Sequence, residues 1–224
     1  MSRYRGTQAE ENYIKALFKI LEDGETSVST NALAHEMNTS AASASDMLKK
    51  LSEKGLVDYA KYQGAKLTKK GDSIAKQLIR KHRLWEVFLV DKLKFKWDEV
   101  HDLAEELEHI NSEELTERLE EFLEFPKYDP HGDPIPDKNG NIDRHKEQTL
   151  ADLSINETGI IVGVKDHSKS YLNYLDNVGL VLGAEVQILG VVEFDNSMSI
   201  SINKQGKTII SNQASKNLYI KKPN

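Results

Sequence analysis

The chain has 224 residues, 30 basic and 36 acidic side chains, 38% hydrophobic content and no cysteine, enough for one large or two to three small domains that each bury a core. The lack of cysteine excludes disulfide scaffolds, thiolate metal sites and cysteine nucleophiles. With no run of 18 apolar residues and no apolar h-region in the opening MSRYRGTQAEENYIKAL, the expectation is a soluble cytoplasmic protein with no membrane association.

Charge is spread unevenly. Residues 1–70 hold 11 basic and 9 acidic side chains, residues 71–150 hold 12 and 20, and residues 151–224 hold 7 of each. A weakly basic, a strongly acidic and a neutral third suggest three jobs, and the acidic third is the one suited to attract a cation.

In the first third, Tyr13, Ile14, Leu17, Phe18 and Leu21 recur at helical spacing from Gln8 to Leu21, and Gly24 ends that helix. Ser29 or Thr30 can cap the next, with Leu33, Ala34 and Met37 inward. After the turn Asn38-Thr39-Ser40, AASASDMLKKLSEKG predicts a third helix stopped at Gly55. Two strand-like runs follow, Leu56–Lys61 and Ala65–Thr68, joined around Gln63-Gly64. This is the order of a helix-turn-helix with a hairpin wing. Ser40 to Ser45 are all small, which lets a helix approach a groove closely, and serine hydroxyls can bond to base edges and phosphates. Lys49, Lys50, Lys54, Lys61, Lys66, Lys69 and Lys70 follow as phosphate partners. The small-residue start followed by lysines favours DNA over a winged helix used only for protein contact.

Lys69 to Leu93 predicts a long helix with Ile74, Leu78, Leu84, Phe88 and Leu89 available for burial. Trp85 and Val87 make its apolar surface broader than one helix needs. Within the helical stretch Arg80 to Phe125, His82 and Glu86 are four apart. His101, Glu105 and Glu108 fall four and three apart, with His109 next. Residues so spaced share a helix face, and imidazole beside hard oxygen donors suits Mn(II) or Fe(II). The same spacing also describes a solvated acidic face, since Val100, Leu103, Ala104, Leu107 and Ile110 supply an apolar stripe. Both readings stand on these residues alone.

Residues 126–148 hold four of the five prolines and read as a linker or an irregular ligand-bearing loop, with His145 solvent-exposed. Period-two runs then predict strands at Thr158–Val164, Glu185–Val192, Ser197–Asn203, Thr208–Ser211 and Leu218–Ile220. SKSYLNYLDNVGL between the first two is a short amphipathic helix. Five short strands with Gly and Asn turns suggest a small barrel.

The segments ENYIKALFKI, AASASDMLKKLSEKGLV, LTKKGDSIAKQLIRKHRLWEVFLV, EVHDLAEELEHINSEELTERLE and DPHGDPIP closely resemble the DtxR/MntR family of metal-dependent transcriptional repressors, over nearly the whole chain. The resemblance implies an α+β protein. Residues 1–70 would form a winged-helix DNA-binding domain, 71–125 a helical dimerisation and metal-binding domain, 126–148 a linker, and 149–224 an SH3-like domain of the FeoA type. It implies an activating metal site at Asn12, Glu105, Glu108 and His109, all but Asn12 on one helix. Asn12 departs from relatives that carry aspartate or methionine there. It implies an ancillary site at His82, Glu86 and His101, joined by Asp129, His131 and either Asp166 or His167. Thr30 and Asn31 would lie near phosphate, Lys50 would add a further DNA contact, and Ser40, Ala42, Ser43, Ser45 and Asp46 would face the major groove.

The implied function is a non-enzymatic, homodimeric repressor that binds a double-stranded operator with a divalent ion as co-repressor. Glutamate rather than cysteine at position 105 favours Mn(II), with Fe(II) close behind. Two other readings use the same residues: a storage protein or hydrolase built on the His/Glu cluster, and a winged-helix regulator answering an organic ligand.

Overall fold

The computed structural model describes residues 6–22, 24–60, 63–143 and 148–223. Lys61 of the wing and His145 lie outside the described residues. The elements are, in chain order, α1 (Gln8–Glu22), α2 (Thr30–Glu36), α3 (Ala41–Glu53), β1 (Val57–Ala60), β2 (Gly64–Leu67), α4 (Lys69–Asp91), α5 (Val100–Leu107), α6 (Glu113–Phe122), β3 (Gln148–Thr149), β4 (Thr158–Val164), α7 (Lys169–Val178), β5 (Glu185–Val191), β6 (Met198–Ile202), β7 (Gln205–Ile210), α8 (Asn212–Lys216) and β8 (Leu218–Lys221). They divide into two compact units. The first holds the described parts of 1–85, 105–121 and 136–142; the second holds those of 86–104, 122–135 and 143–224.

The first unit is built on α1. Thr7 and Glu10 exchange side-chain and backbone hydrogen bonds at its start (3.1 and 3.3 Å), a capping box that satisfies two otherwise orphaned amides. Its apolar face buries Ile14 and Leu17 completely, against a core that includes Leu33 of α2, Leu48 and Leu51 of α3, and Leu56. Each such side chain contributes about 1.5–3 kcal/mol over leaving it exposed, so this core, not the four-residue hairpin, holds the helices together. The Ser29 side chain caps α2 and Ser40 caps α3. Between them Asn38 adopts a left-handed φ of 47°, which asparagine tolerates better than branched residues. Strands β1 and β2 pair antiparallel, Val57 with Leu67 through Ala60 with Gly64.

The stretch Arg80 to Phe125 is three helices with breaks at 92–99 and 108–112. Ser112 accounts for the second break: its hydroxyl accepts from the Leu115 amide (3.2 Å) and starts α6 afresh. Glu108 and His109 therefore lie in the turn just after α5 rather than on one helix with Glu105, a correction to the periodic reading. Val87, expected to broaden the surface of α4, is buried at 5% exposure.

The second unit carries a six-stranded antiparallel sheet in the order β3-β8-β4-β5-β6-β7. Register shifts in the β4–β8, β5–β6 and β6–β7 pairs are the kind of bulge that bends a strand. Leu150, Ile161, Leu172, Leu175, Val186, Ile188, Ile200 and Leu218 fill its core. Helix α7 ends at Gly179, which takes the left-handed conformation (φ 84°). The sequence reading missed α8 and a 3-10 turn at Leu150–Asp152, which are too short for a periodic signal.

The loop around His131 is pinned to β4. The Val164 amide donates to the His131 carbonyl (2.9 Å). Gly132 sits so close that an added Cβ would lie 2.1 Å from the Val162 carbonyl oxygen and 2.4 Å from the Gly163 Cα. Backbone on the far side cannot yield as a flexible side chain can. Gly132→Ala should therefore lower the stability of this unit by about 2 kcal/mol or more, read as a reduced thermal midpoint of the metal-free protein. An unchanged midpoint would show that the loop is not clamped.

Candidate metal centres and nucleic-acid interface

Among the described residues, each unit contains within itself a cluster of imidazole and carboxylate. In the first unit, ligand atoms of His82, Glu105 and Glu108 all lie within 4.8 Å of one another. Helix α4 supplies His82, whose Nδ1 is 2.7 Å from Glu108 Oε2 and 3.9 Å from Glu105 Oε1. Helix α5 and the turn after it supply Glu105, Glu108 and His109, while α1 supplies Glu11, whose carboxylate is 2.6 Å from His109 Nδ1. Glu108 is fully buried, and Glu11 and His109 nearly so.

Carboxylates so buried need cations. The Lys15 ammonium, also on α1, donates to Glu105 Oε1 (2.6 Å) and to Glu108 Oε1 and Oε2 (2.6 and 2.7 Å). Burial pushes the Glu105 carboxyl up, but Lys15 beside it, with help from His82, holds it below the usual range. Burial also pushes the Lys81 ammonium down, against the pull of Glu11 and Glu108. Asn12 is half-buried, and its Oδ1 is buried without a hydrogen-bond partner. Two imidazoles, clustered carboxylates and an orphaned amide oxygen fit a hard or borderline divalent cation, and the Lys15 ammonium already acts there as a positive charge.

Glu11 and Lys15 were missed in the sequence. Glu11 and Lys15 are four apart and share a face of α1, and Lys15 lies three after Asn12, but that spacing is equally that of a solvated polar face. Arg80, on the same unit, is taken up by Glu120 (2.6 Å).

In the second unit, ligand atoms of Glu86, Asp129 and His131 also lie within 4.8 Å of one another, and all three residues are buried. His131 Nδ1 is 3.6 Å from Glu86 Oε2 and 3.9 Å from Asp129 Oδ1, with no hydrogen-bond partner of its own. His131 Nε2 donates to the Trp97 carbonyl (2.9 Å), which in the neutral ring leaves the lone pair on Nδ1, turned toward the two carboxylates. This orphaned nitrogen fits a cation. His101 Nδ1 reaches Glu86 Oε1 at 3.5 Å. Asp129 Oδ1 accepts from the His131 and Asp133 amides, which fixes its direction. Of the pair left open by the sequence, His167 stacks on His131 with centroids 4.8 Å apart. Asp166 uses Oδ1 to accept from the Ser168 amide (2.8 Å).

Of the residues expected at DNA, Asn31, Ser40, Ala42, Ser43, Asp46 and Lys50 are exposed, while Thr30 and Ser45 are half-buried. The Tyr59 hydroxyl from β1 lies 3.1 Å from Ser45 Oγ and 3.5 Å from Thr30 Oγ1, linking the wing to both helices of the motif. Ser40 spends its hydroxyl on the Ser43 amide and hydroxyl (3.1 and 2.9 Å). Lys50 of α3 and Lys54, its C-cap residue, both reach the fully buried Glu10 carboxylate of α1 (3.0 and 2.6 Å). Recognition helix and cluster are therefore attached to consecutive residues, Glu10 and Glu11.

Three family sequence profiles match in series. They are the iron dependent repressor N-terminal DNA binding domain at residues 7–65, the iron dependent repressor metal binding and dimerisation domain at 68–137, and the FeoA domain at 148–222. A probable metal transport system membrane protein of Chlamydia trachomatis is 45% identical over 93 residues, covering 42% of this chain and 20% of that protein. The iron-dependent repressor IdeR of Mycobacterium tuberculosis is 34% identical over 126 residues, 56% of this chain and 54% of that one. The alignments thus span about a fifth to a half of these curated relatives. A solved manganese-dependent transcriptional repressor in complex with manganese is 33% identical, with 96% of this chain and 100% of that chain covered and a TM-score of 0.85. No helix among the described residues is long and apolar enough to cross a membrane.

The His131 cluster has a pH signature. Burial would push the imidazole down, but Glu86 and Asp129 outweigh it and raise the group from 6.5 to about 9. A group raised in the folded state contributes stability that is complete below its unfolded value and is lost as pH rises through the folded one. Metal-free protein should therefore lose stability between pH 6.5 and about 9, and His131→Gln should flatten that part of the profile. Thermal midpoints across this window check it; identical slopes in the two proteins would refute it.

Proposed function

Because the chain belongs to the DtxR/MntR family of metal-dependent transcriptional repressors, we propose that it is a homodimeric DNA-binding repressor of metal homeostasis with a divalent ion as co-repressor, and not an enzyme. The observation that carries this is the chain of contacts through α1. Glu10 holds Lys50 in the last turn of the recognition helix and Lys54 at its C-cap, and Glu11 holds His109 of the imidazole–carboxylate cluster.

The activating site would use Asn12, Glu105, Glu108 and His109, with Glu11 added on its geometry and with His82, which the resemblance assigns to the ancillary set, moved here because its Nδ1 lies 2.7 Å from Glu108 Oε2. The ancillary set would be Glu86, His101, Asp129 and His131, with His167 the better-placed neighbour in the stretch Asp166-His167. A divalent ion supplies charge that Asn12 and the clustered carboxylates can share. The residues of α1, α4 and the turn after α5 then hold one another in place, and α1 carries that constraint to α3. Mn(II) is the favoured ion and Fe(II) the next, since every donor is oxygen or imidazole nitrogen.

For DNA, Ser43, Ala42 and Asp46 would face the major groove with Ser40 and Ser45 at its margin, and Thr30, Asn31 and Lys50 would meet phosphate. Leu93, Phe95, Phe122 and Phe125 of the second unit are exposed (39–59%), an apolar surface that supports the dimer. A two-fold pair would set recognition helices about 34 Å apart, one turn of DNA. We further propose that 1–70, 71–125, 126–148 and 149–224 are the functional divisions.

Two experiments test the reading. In the first, operator binding is titrated with Mn(II), Fe(II), Zn(II) and chelator at fixed salt, on DNA upstream of a metal-transporter gene. Chelator should reduce affinity to the sequence-independent level of phosphate contacts. His109→Ala should abolish the metal response, and Asn12→Asp should lower the Mn(II) needed roughly tenfold by adding a charge beside a dication. Equal affinity with and without metal would sink the proposal. In the second, Ser43→Glu places a carboxylate among phosphates and should eliminate operator binding while metal binding in the absence of DNA stays intact. Loss of metal affinity in that variant would move α3 out of the proposed role.

A further inference from the structure

The first cluster contains a cation that belongs to the chain itself. Lys15 reaches two carboxylates ninety and ninety-three positions along the sequence, makes three contacts of 2.6–2.7 Å and has a side chain only 6% exposed. Those contacts involve both oxygens of Glu108 and one of Glu105, the two carboxylates that the cluster offers to a metal. A dication and an ammonium cannot both sit within bonding distance of the same oxygens, because their repulsion is largest where water is excluded.

We propose that Lys15 is a tethered competitor for the Glu105 and Glu108 carboxylates, so that the divalent-metal concentration at which the protein responds is set by displacing its own ammonium group. The inference rests on the metal reading above and deepens it. A tethered competitor acts at a fixed effective concentration, independent of how much protein is present. It also answers two needs with one side chain. Without metal, the ammonium compensates buried carboxylates that would otherwise repel one another. Its release frees those oxygens beside His82 and His109. Because Lys15 opposes any dication by charge alone, it sets a threshold and leaves the order of metal preference unchanged.

This predicts opposite effects of one substitution on two states. Lys15→Met keeps a long apolar stem and removes the charge. It should lower the stability of the metal-free protein, where Glu105 and Glu108 lose their partner. It should also tighten Mn(II) binding roughly tenfold or more, with a similar factor for Zn(II) and Cd(II).

The measurement is equilibrium Mn(II) binding to the full chain without DNA, followed by the paramagnetic resonance of free Mn(II). The cluster around His131 serves as the unchanged comparison. Tighter binding at one site per chain, with a less stable metal-free state, supports the proposal. A folded variant with equal or weaker Mn(II) affinity overturns it.

Should Lys15→Met not fold, the wild-type protein carries the test through amine acylation read by mass spectrometry. Lys15 should be protected without metal and become reactive when Mn(II) is added. Protection that persists in the metal-loaded protein overturns the proposal. If wild-type protein and variant both fail to bind Mn(II), the metal reading itself falls, and this inference with it. Equal binding by the two removes only the role of Lys15.

Discussion

Burial of negative charge along α1 is the constraint on which the first unit depends. Glu10 is fully buried, Glu11 is 4% exposed and Glu108 is fully buried. An ionised carboxylate removed from water without a partner costs more than a small domain can sustain. Each is therefore matched: Glu10 with Lys50 and Lys54, Glu11 with His109, and Glu108 with Lys15 and His82. These pairs fix which face of α1 meets the recognition helix and which meets α4 and the turn after α5. The apolar face of Ile14 and Leu17 seats the helix on the core, and the ion pairs fix what its polar flanks meet.

Under the function proposed above, the same pairs would link the cluster to DNA binding. Buried pairs of this kind add little net stability over a well-packed apolar contact, yet breaking one is costly. A helix held this way responds sharply when its partners are exchanged, because a single change of cation alters several contacts together. Coupling of this sort is reciprocal, so whatever tightens DNA binding on metal loading must tighten metal binding on DNA by the same factor.

The second unit solves a different problem. Its clustered imidazole and carboxylate groups come from α4, from the segment around His101 and from an irregular proline-rich loop. Loops have no period to aim a side chain. Here the aim is supplied by backbone contacts: His131 is held through its carbonyl to Val164, through Nε2 to Trp97, and by Gly132 lying against β4. The sheet thereby serves as a rigid backing for a histidine that the loop alone could not orient. Lys165 and His167 follow directly where β4 ends, which explains why a stacking partner for His131 comes from that stretch.

Much of the architecture was legible in the sequence. The three helices and hairpin of the winged motif follow from 3.6-residue periodicity, Ser29 and Ser40 as caps, and glycines at the turns. The strands from Thr158 onward follow from period-two alternation. That His82 and Glu86 stand one turn apart on α4 was also visible, because helix-face spacing is local; the spacing of Glu105 and Glu108 was visible too, but not that Glu108 lies past the end of α5. What local geometry does not contain is contact across the chain. Nothing in ENYIKAL distinguishes Glu11 and Lys15 from a solvated polar face, since the carboxylates and imidazole that claim them lie about ninety residues away. The end of α5 before Glu108 was equally hidden, because the apolar stripe continues through Leu107 and Ile110 while the cap at Ser112 decides the break. Sequence by itself determined the elements, their order and the residue types able to hold a cation. Only tertiary structure decided which charges meet, because burial turns a surface lysine into the obligatory partner of two distant glutamates.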